Sequence, residues 1–334
     1  MVQPLRAGLI GLGSMGRNHA RILASLDEVE FVGVADPAGD PHAVARGIPV
    51  FTSNESLLNA GLDYCVVASP TATHEETATE LAAAGIHMLV EKPVSVDVAS
   101  ARRLVELYES AGLVGAVGHI ERYNPALQQL KSRVQSGDLG DIYQVATRRQ
   151  GPFPVRISDV GVVKDLATHD IDSTAFVTGS DFVAISARTA HKTGRAHEDL
   201  VAATGVLAND TITNHLVNWL SPLKERLTIV TGDKGTFIAD TLTGDLTFHA
   251  NGTLVLEWSD VSHFRGMTEG DVIRYAFAKP EPLRTEHLAF RDAVQGRDAE
   301  IVTLRQGLTA VAVAEAVLES ASIGSTVPIA PVDA

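Results

Sequence analysis

The stretch Leu89 to Pro93 reads Leu-Val-Glu-Lys-Pro and places a carboxylate and an amine side by side. Ile86 to Val90 is a short apolar run preceded by Gly85, which predicts a buried parallel strand. Glu91 and Lys92 then follow at the carboxyl end, the edge beyond which open α/β sheets hold their ligands. Pro93 cannot extend a ladder and ends the strand. A cis Lys-Pro bond costs little and would turn Lys92 sharply toward the crevice. A strand end capped in solvent accounts for the same pair, so the decision rests on other residues.

Two other groups of residues carry chemistry. Leu5 to Ile10 runs into Gly11-Leu-Gly13-Ser-Met-Gly16, and Met15, His19, Leu23 and Leu26 then recur at helical spacing. Strand, glycine loop and helix in this order form the dinucleotide fingerprint: the glycines allow a tight turn and close approach to pyrophosphate. The anion would sit at the helix N-terminus, where N–H groups and the dipole favour it. A second strand, Phe31 to Ala35, ends in Asp36, 20 residues after Gly16, where an acid would hold a ribose 2′-hydroxyl. No arginine follows before Arg46, so the pattern predicts NAD over NADP. The other group is Asp-Leu-Ala-Thr-His-Asp-Ile-Asp in a helix expected from Asp165 to Val177. There Asp165, His169 and Asp172 share one face, while Ala167, Ile171 and Ala175 turn toward a core.

Composition bounds what these groups can serve. The 334 residues call for two domains, and 45% hydrophobic with 20% charged residues is ordinary for a globular protein. A balance of 27 Lys+Arg against 41 Asp+Glu, net −14, disfavours a nucleic-acid surface. Against that background Arg148, Arg149, Arg156 and Lys164 form a basic island opposed only by Asp159, joined by Arg122 from the link between the domains. Arginine forks suit a diphosphate, so a phosphate-bearing substrate is expected. The lone Cys65 excludes an internal disulfide framework and a cysteine zinc site, and its apolar run predicts a buried, inert thiol. The twelve histidines show no paired-ligand spacing, so no metal is expected. No G-x-S-x-G elbow follows a strand, which argues against a serine hydrolase. Neither a signal sequence nor an apolar stretch of membrane-spanning length is seen, and the expectation is a cytoplasmic protein without a membrane partner.

The positioning elements follow. Further strands are predicted at Ile48 to Phe51, Tyr64 to Ala68 and Leu113 to Val117. Helices are predicted from His74 to Ala84, with Thr71 or Thr73 as N-cap, and from Ser95 to a stop at Gly112. Strands alternating with helices mean a parallel, doubly wound sheet, taken as residues 1–118. Residues 119–334 form the second domain. Its helices are expected at 125–134, 165–177, 286–296 and 304–321. Its strands are expected at Ile142 to Arg149 and then at Val183 to Ala187, Leu200 to Leu207, Ile212 to Trp219, Leu227 to Thr231, Thr236 to Ala239, Leu246 to His249 and Leu254 to Trp258. Asn251-Gly252 reads as a hairpin turn. The domain is therefore α/β with a large, mostly antiparallel open sheet. Ile212 and Leu216 leave its outer face partly apolar, which predicts a homodimer or homotetramer.

The glycine loop, Glu91-Lys-Pro93 and Asp165-x-x-x-His169, in this order, resemble the glucose-fructose oxidoreductase, inositol dehydrogenase and rhizopine-catabolism superfamily. The likeness runs from about Leu5 to Ile329 and takes in Pro70-Thr-Ala-Thr-His74, Asn218-Trp-Leu-Ser-Pro222 and Glu281-Pro-Leu283. It implies a Rossmann domain that binds NAD(P) through Gly11, Gly13, Ser14, Met15, Gly16, Asp36, Ser69, Pro70, Thr71, His74, Glu91 and Lys92. The second domain's open sheet would form a subunit interface. Within the superfamily, Gly118-His-Ile-Glu-Arg-Tyr-Asn-Pro125 and the segment Gly151 to Gly161 look most like UDP-N-acetylglucosamine 3-dehydrogenases. That implies substrate contacts from Lys92, Arg122, Tyr123, Asn124, Arg156 and His169; Lys164 departs from the pattern. The resemblance makes Lys92, Asp165 and His169 the catalytic set. The chemistry agrees: a histidine titrates in the range of a base for a hydroxyl proton, a lysine stabilises the developing alkoxide, and an acid orients the imidazole. A dehydrogenase of a nucleotide-linked sugar is the expectation. A free-polyol dehydrogenase stands second, and an NAD-binding sensor without turnover would not need these three residues.

Overall fold

The computed structural model describes residues 3–41, 43–45, 47–154, 160–252 and 268–332. The chain divides into two compact units, Met1–Tyr123 with Pro280–Ala312, and Asn124–Lys279 with Val313–Ala334.

In the first unit six strands form a parallel sheet: β1 (Leu5–Ile10), β2 (Val29–Ala35), β3 (Val50–Phe51), β4 (Tyr64–Val67), β5 (His87–Glu91) and β6 (Gly115–Gly118). Their order is β3-β2-β1-β4-β5-β6. The order reverses between β1 and β4, and the crevice of a doubly wound sheet opens beyond the carboxyl ends at that point. Four helices follow strands or loops of this sheet: α1 (Ser14–Leu23), α2 (Asn54–Leu58), α3 (His74–Ala83) and α4 (Val98–Ser110). The whole of β4 is buried, and Leu9, Val66 and Leu89 share a core with Ala20, Ile22 and Leu23 of α1. Each such leucine or isoleucine contributes about 1.5–3 kcal/mol by leaving water.

The chain returns to this unit late. Helix α7 (Pro282–Val294) adds Leu283 and Phe290 to the same core, and Phe290 meets Tyr64 edge to face with ring centroids 5.4 Å apart. By its contacts the first compact unit runs to Tyr123 and takes in residues 280–312. The helix expected here at 286–296 begins earlier, at Pro282.

Several local expectations shift. Neither Thr71 nor Thr73 caps α3 with its side chain; they lie in a 3-10 turn, and Thr73 Oγ1 donates to the Pro70 carbonyl at 2.8 Å. Helix α4 starts at Val98, because Asp97 is the cap and accepts the Ser100 N–H at 2.8 Å. The Lys92–Pro93 bond is cis.

The second unit opens with α5 (Pro125–Gln135) and β7 (Ile142–Pro152). A π-helical turn, Val163–Ala167, leads into α6 (Thr168–Thr178). The strands β8 (Phe182–Ala190), β9 (Leu200–Leu207), β10 (Ile212–Asn218), β11 (Leu220–Gly232), β12 (Gly235–Asp240), β13 (Asp245–Gly252), β14 (Thr268–Arg274) and β15 (Val327–Pro328) follow. With β7 they make a nine-stranded sheet in the order β14-β13-β12-β11-β7-β10-β9-β8-β15. Among the described residues of this sheet only β7 and β10 pair in parallel. Ala126, Leu127 and Leu130 of α5 and Phe176 and Val177 of α6 pack with Val145, Val230, Phe237 and Leu246 of the sheet. The last helix, α8 (Leu304–Ile323), supplies Val313 and Val317 to a second core with Ile171, Val201 and Val217.

Asn251-Gly252 is not a turn. Both residues continue the β13 ladder, opposite Glu269 and Thr268 of β14, after a register shift at His249. β14 is a short edge strand whose first four residues, Thr-Glu-Gly-Asp, are polar or glycine, a composition that hides a strand from pattern reading. The strand expected at Leu254 to Trp258 lies outside the described residues. Along β10 inward and outward residues alternate, leaving Ile212 44% and Leu216 39% exposed. Tyr143, Leu223 and Val272 are exposed as well.

Candidate active site

The glycine loop leaves β1 in a conformation that side chains resist. Gly11 has φ of 94°, and a Cβ there would lie 2.7 Å from the Ala68 carbonyl oxygen. A Cβ on Gly16 would lie 2.0 Å from the Gly11 oxygen, so the helix closes directly on the loop. Gly13, by contrast, faces open space: nothing lies within 4 Å of its Cβ direction. It is also the N-cap of α1 and makes no side-chain capping bond. The first N–H groups of a helix lack intrahelical acceptors, so this end is suited to an anion brought close to bare backbone. Ser14 is exposed and Met15 half-buried beside it.

Asp36 stands at the end of β2 and is wired into this loop. Its Oδ2 accepts the Leu12 N–H at 2.7 Å and its Oδ1 accepts the Ala38 N–H at 2.8 Å. Each carboxylate oxygen keeps a further lone pair for the vicinal diol of a ribose. Open backbone at Gly13, tight packing at Gly11 and Gly16, and an acid on the adjacent strand fit a dinucleotide.

The end of β4 borders the loop. Ser69 is half-buried, its hydroxyl 2.8 Å from that of Thr73, while Pro70 is exposed and Thr71 half-buried. His74 lies inside, with Nε2 3.0 Å from the Ser69 carbonyl and Nδ1 3.1 and 3.3 Å from those of Pro93 and Val94. Burial pulls this imidazole below its ordinary pKa, against carbonyl contacts that favour the protonated ring. Glu91 is the last residue of β5 and is buried; Lys92, just beyond, is half-buried.

A chain of polar groups runs behind Lys92. Glu91 Oε2 accepts the Lys92 backbone N–H at 3.2 Å, and Oε1 accepts from His19 Nε2 at 2.8 Å. His19 Nδ1 is 2.8 Å from His287 Nε2. Burial would raise the Glu91 pKa, but the His19 hydrogen bond and charge, with Lys92, outweigh it and hold the carboxyl below its usual range. Burial, with His19 adding to it, drives His287 well below its ordinary value. Burial and the Glu91 charge push Glu286 well above its own. Sequence reasoning placed His19 on the core face of α1 and missed His287 and Glu286. The available signal was a histidine among apolar residues at helical spacing.

In the second unit Asp165 belongs to the π turn and His169 to the first turn of α6. A π turn closes i to i+5, so it widens the helix where these residues lie, a distortion frequent at functional sites. Asp165 and His169 are half-buried among buried neighbours, whereas Asp172 is fully buried. The adjacent Asp170 anchors the helix to the sheet: Oδ1 accepts from Arg149 Nε at 2.6 Å and Oδ2 from Thr147 Oγ1 at 3.1 Å. Arg149 is buried in this pair, which removes it from the basic island. Arg148 is exposed, 3.5 Å from Glu225, and Lys164 is half-buried. Arg156 lies outside the described residues.

The remaining substrate candidates are interior residues. Arg122 is buried in a 3-10 turn of the first unit. Tyr123 donates to the Glu300 carbonyl at 3.3 Å. Asn124 caps α5 by accepting the Ala126 N–H at 3.0 Å and donates to the Thr241 carbonyl at 3.0 Å.

A six-stranded parallel sheet with a glycine loop and strand-end acid at its switch point defines a dinucleotide-binding α/β protein of the Rossmann class. The chain belongs to the Gfo/Idh/MocA oxidoreductase family: residues 5–119 match its NAD-binding Rossmann fold and residues 131–329 its C-terminal alpha/beta domain. It is 35% identical over 213 residues to the UDP-N-acetylglucosamine 3-dehydrogenase of Acidithiobacillus ferrooxidans, a stretch covering 63% of this chain and 66% of that one. Inositol 2-dehydrogenase 2 of Saccharopolyspora erythraea is 28% identical over 338 residues, 97% of this chain and 95% of the relative. The solved structure of the Acidithiobacillus ferrooxidans enzyme superposes with a TM-score of 0.82 at 26% identity, covering 97% of this chain and 99% of that one. No helix among the described residues is long and apolar enough to cross a membrane.

Proposed function

We propose that the chain is an NAD-dependent dehydrogenase, active in the cytoplasm as a homo-oligomer, that oxidises a secondary hydroxyl of a nucleotide-linked sugar, at C3 of UDP-N-acetylglucosamine or a close relative. The observation that carries the redox reading is the cradle: bare backbone at Gly13 between two glycines without room for a Cβ, with Asp36 bonded to Leu12 beside it. Bound NAD supplies the hydride acceptor. Asp36 takes the ribose diol and repels a 2′-phosphate, which favours NAD.

The chain's own residues divide the remaining tasks as the family pattern implies. His169 takes the proton of the reacting hydroxyl, Asp165 steadies the imidazole, and Lys92 donates a hydrogen bond that lowers the hydroxyl's pKa. Arg156 and the exposed Arg148 serve the substrate's phosphates. The UDP-N-acetylglucosamine relative supports this substrate class. The free-polyol reading has its own support: Arg149 is held by Asp170, and an inositol dehydrogenase matches nearly the whole chain.

The test is a panel of UDP-sugars, dTDP-sugars, free sugars and inositols scored by NADH formation. Turnover with UDP-N-acetylglucosamine and little with free sugars is expected. Equal or better turnover with inositols transfers the assignment to the polyol class, and NAD binding without reduction by any member overturns the enzyme reading.

A further inference from the structure

The turn that carries Lys92 is held from both sides by buried imidazoles. On the near side, Glu91 accepts the Lys92 N–H at 3.2 Å and is itself held by His19 at 2.8 Å, with His287 2.8 Å behind. On the far side, His74 sits between the carbonyls of Pro93 and Val94, 3.1 and 3.3 Å from Nδ1, and that of Ser69, 3.0 Å from Nε2; the neutral ring donates to one side, and the tautomer with the proton on Nδ1 holds the turn. His19 comes from the helix after the glycine loop and His74 from the helix after β4, so two separate elements converge on three residues.

Neither ring can be a first contact for a ligand, since His19 is 0% and His74 1% exposed. Their contribution is the hydrogen bond: leucine at position 19 would leave the buried Glu91 and His287 without this partner, and buried polar groups cost free energy unless bonded. What the imidazoles add is direction. Glu91 is an ionised acceptor fixed at both oxygens, and the carbonyls beyond Lys92 are fixed by a planar ring. The backbone from residue 92 to 94 is thereby held at three points, the Lys92 N–H and the Pro93 and Val94 carbonyls, around the half-buried Lys92.

We propose that His19, acting through Glu91, and His74 are positioning residues that aim the Lys92 ammonium for the reaction. This rests on the reading that Lys92 serves the oxidation, and it assigns His74 and Glu91 to the lysine rather than to direct cofactor contact.

The test reads Lys92 itself. The chain has seven lysines, few enough for each to give its own signal after reductive methylation with ¹³C-formaldehyde. Lys92→Arg identifies the signal. The full-length protein and its His19→Leu, His19→Gln, His74→Leu and His74→Gln variants are compared, with kinetics measured on unmodified protein.

The leucine variants keep a side chain of comparable bulk and lose the hydrogen bonds. In them the Lys92 signal and its titration midpoint should move while the other six stay. Their kcat should fall about 10-fold or more, since misplacement by 1 Å can cost about 10²-fold. The KM for NAD should change less than about 3-fold, because the cradle is untouched. The glutamine variants, which restore an N–H donor, should recover part of both.

If the Lys92 signal and midpoint stay at their wild-type values in the folded leucine variants, the proposal is overturned. Should a leucine variant not fold, alanine at that position takes its place, with folding checked by near-ultraviolet circular dichroism. The signal does not depend on turnover. A moved signal together with a fully active Lys92→Ala variant would therefore reject the functional reading and leave the positioning intact.

Discussion

Asp36→Ala separates two duties of one carboxylate. In the structure Asp36 braces the glycine loop through the Leu12 and Ala38 N–H groups at 2.7 and 2.8 Å. Hydrogen bonds to a charged group are worth about 1.5–3 kcal/mol each, and less here because the site is partly open to water. That loss loosens the loop for NAD and NADP alike and cancels in their ratio. The second duty does not cancel. For NAD the variant loses the bonds to the ribose diol, again about 1.5–3 kcal/mol. For NADP it loses a repulsion that is about 4 kcal/mol for unit charges 4 Å apart at an effective dielectric of about 20. Screening by salt and solvent at a half-exposed site reduces this to about 1–2 kcal/mol. Together the preference for NAD should fall by about 2.5–5 kcal/mol, or roughly 60-fold or more at about 1.4 kcal/mol per tenfold. The assay is kcat/KM with each cofactor, paired with fluorescence titration of NADH and NADPH so that binding is seen without turnover. A ratio within about 3-fold of wild type in both measurements would refute the assignment of Asp36 to the ribose.

His169→Ala should lower turnover about 10²-fold or more and flatten the acid limb of the pH–rate profile, whereas Lys92→Ala should be as damaging yet keep that limb; the reverse pattern swaps the two roles. His215 is buried beside Thr147, and burial holds its pKa at about 4 in the fold. Its unfolded value is about 6.5, so between these two values the unfolded chain binds the extra proton and stability is lost as pH falls, by up to about 3 kcal/mol. His215→Gln should therefore show a shallower fall in melting temperature on acidification than wild type, and an unchanged slope would count against it. Leu216→Glu places a charge on the exposed face of β10 and should reduce the mass seen by light scattering; wild type already monomeric at micromolar concentration would remove the basis for the oligomer.

The elements that were legible are those whose signal is local. β1, β4 and β5 read directly because largely buried strands carry near-continuous apolar runs, and the glycine loop because Gly11 and Gly16 have no substitute in their backbone positions. Asp36 followed from its distance along the chain. What stayed hidden depends on partners far away in sequence. His287 lies 268 residues from His19, and Arg149 finds Asp170 only once β7 and α6 are packed. The same holds for α7, whose Phe290 seeks Tyr64 across most of the chain. The π turn at Val163–Ala167 has no compositional mark, since its five residues read as ordinary helix. β14 and the Asn251-Gly252 pair failed for opposite reasons: the strand is too polar to announce itself, and the turn signal was overridden by a ladder that continues through it.

The most direct test of the account is isotope transfer from UDP-N-acetylglucosamine carrying deuterium at C3. Incubated with the enzyme and NAD, it should yield NADH that bears the deuterium by mass spectrometry, together with the 3-keto sugar nucleotide. Unlabelled NADH would mean that another position is oxidised. No NADH from this or any other sugar, from a folded protein that binds NAD, would contradict the central claim that the chain is a dehydrogenase.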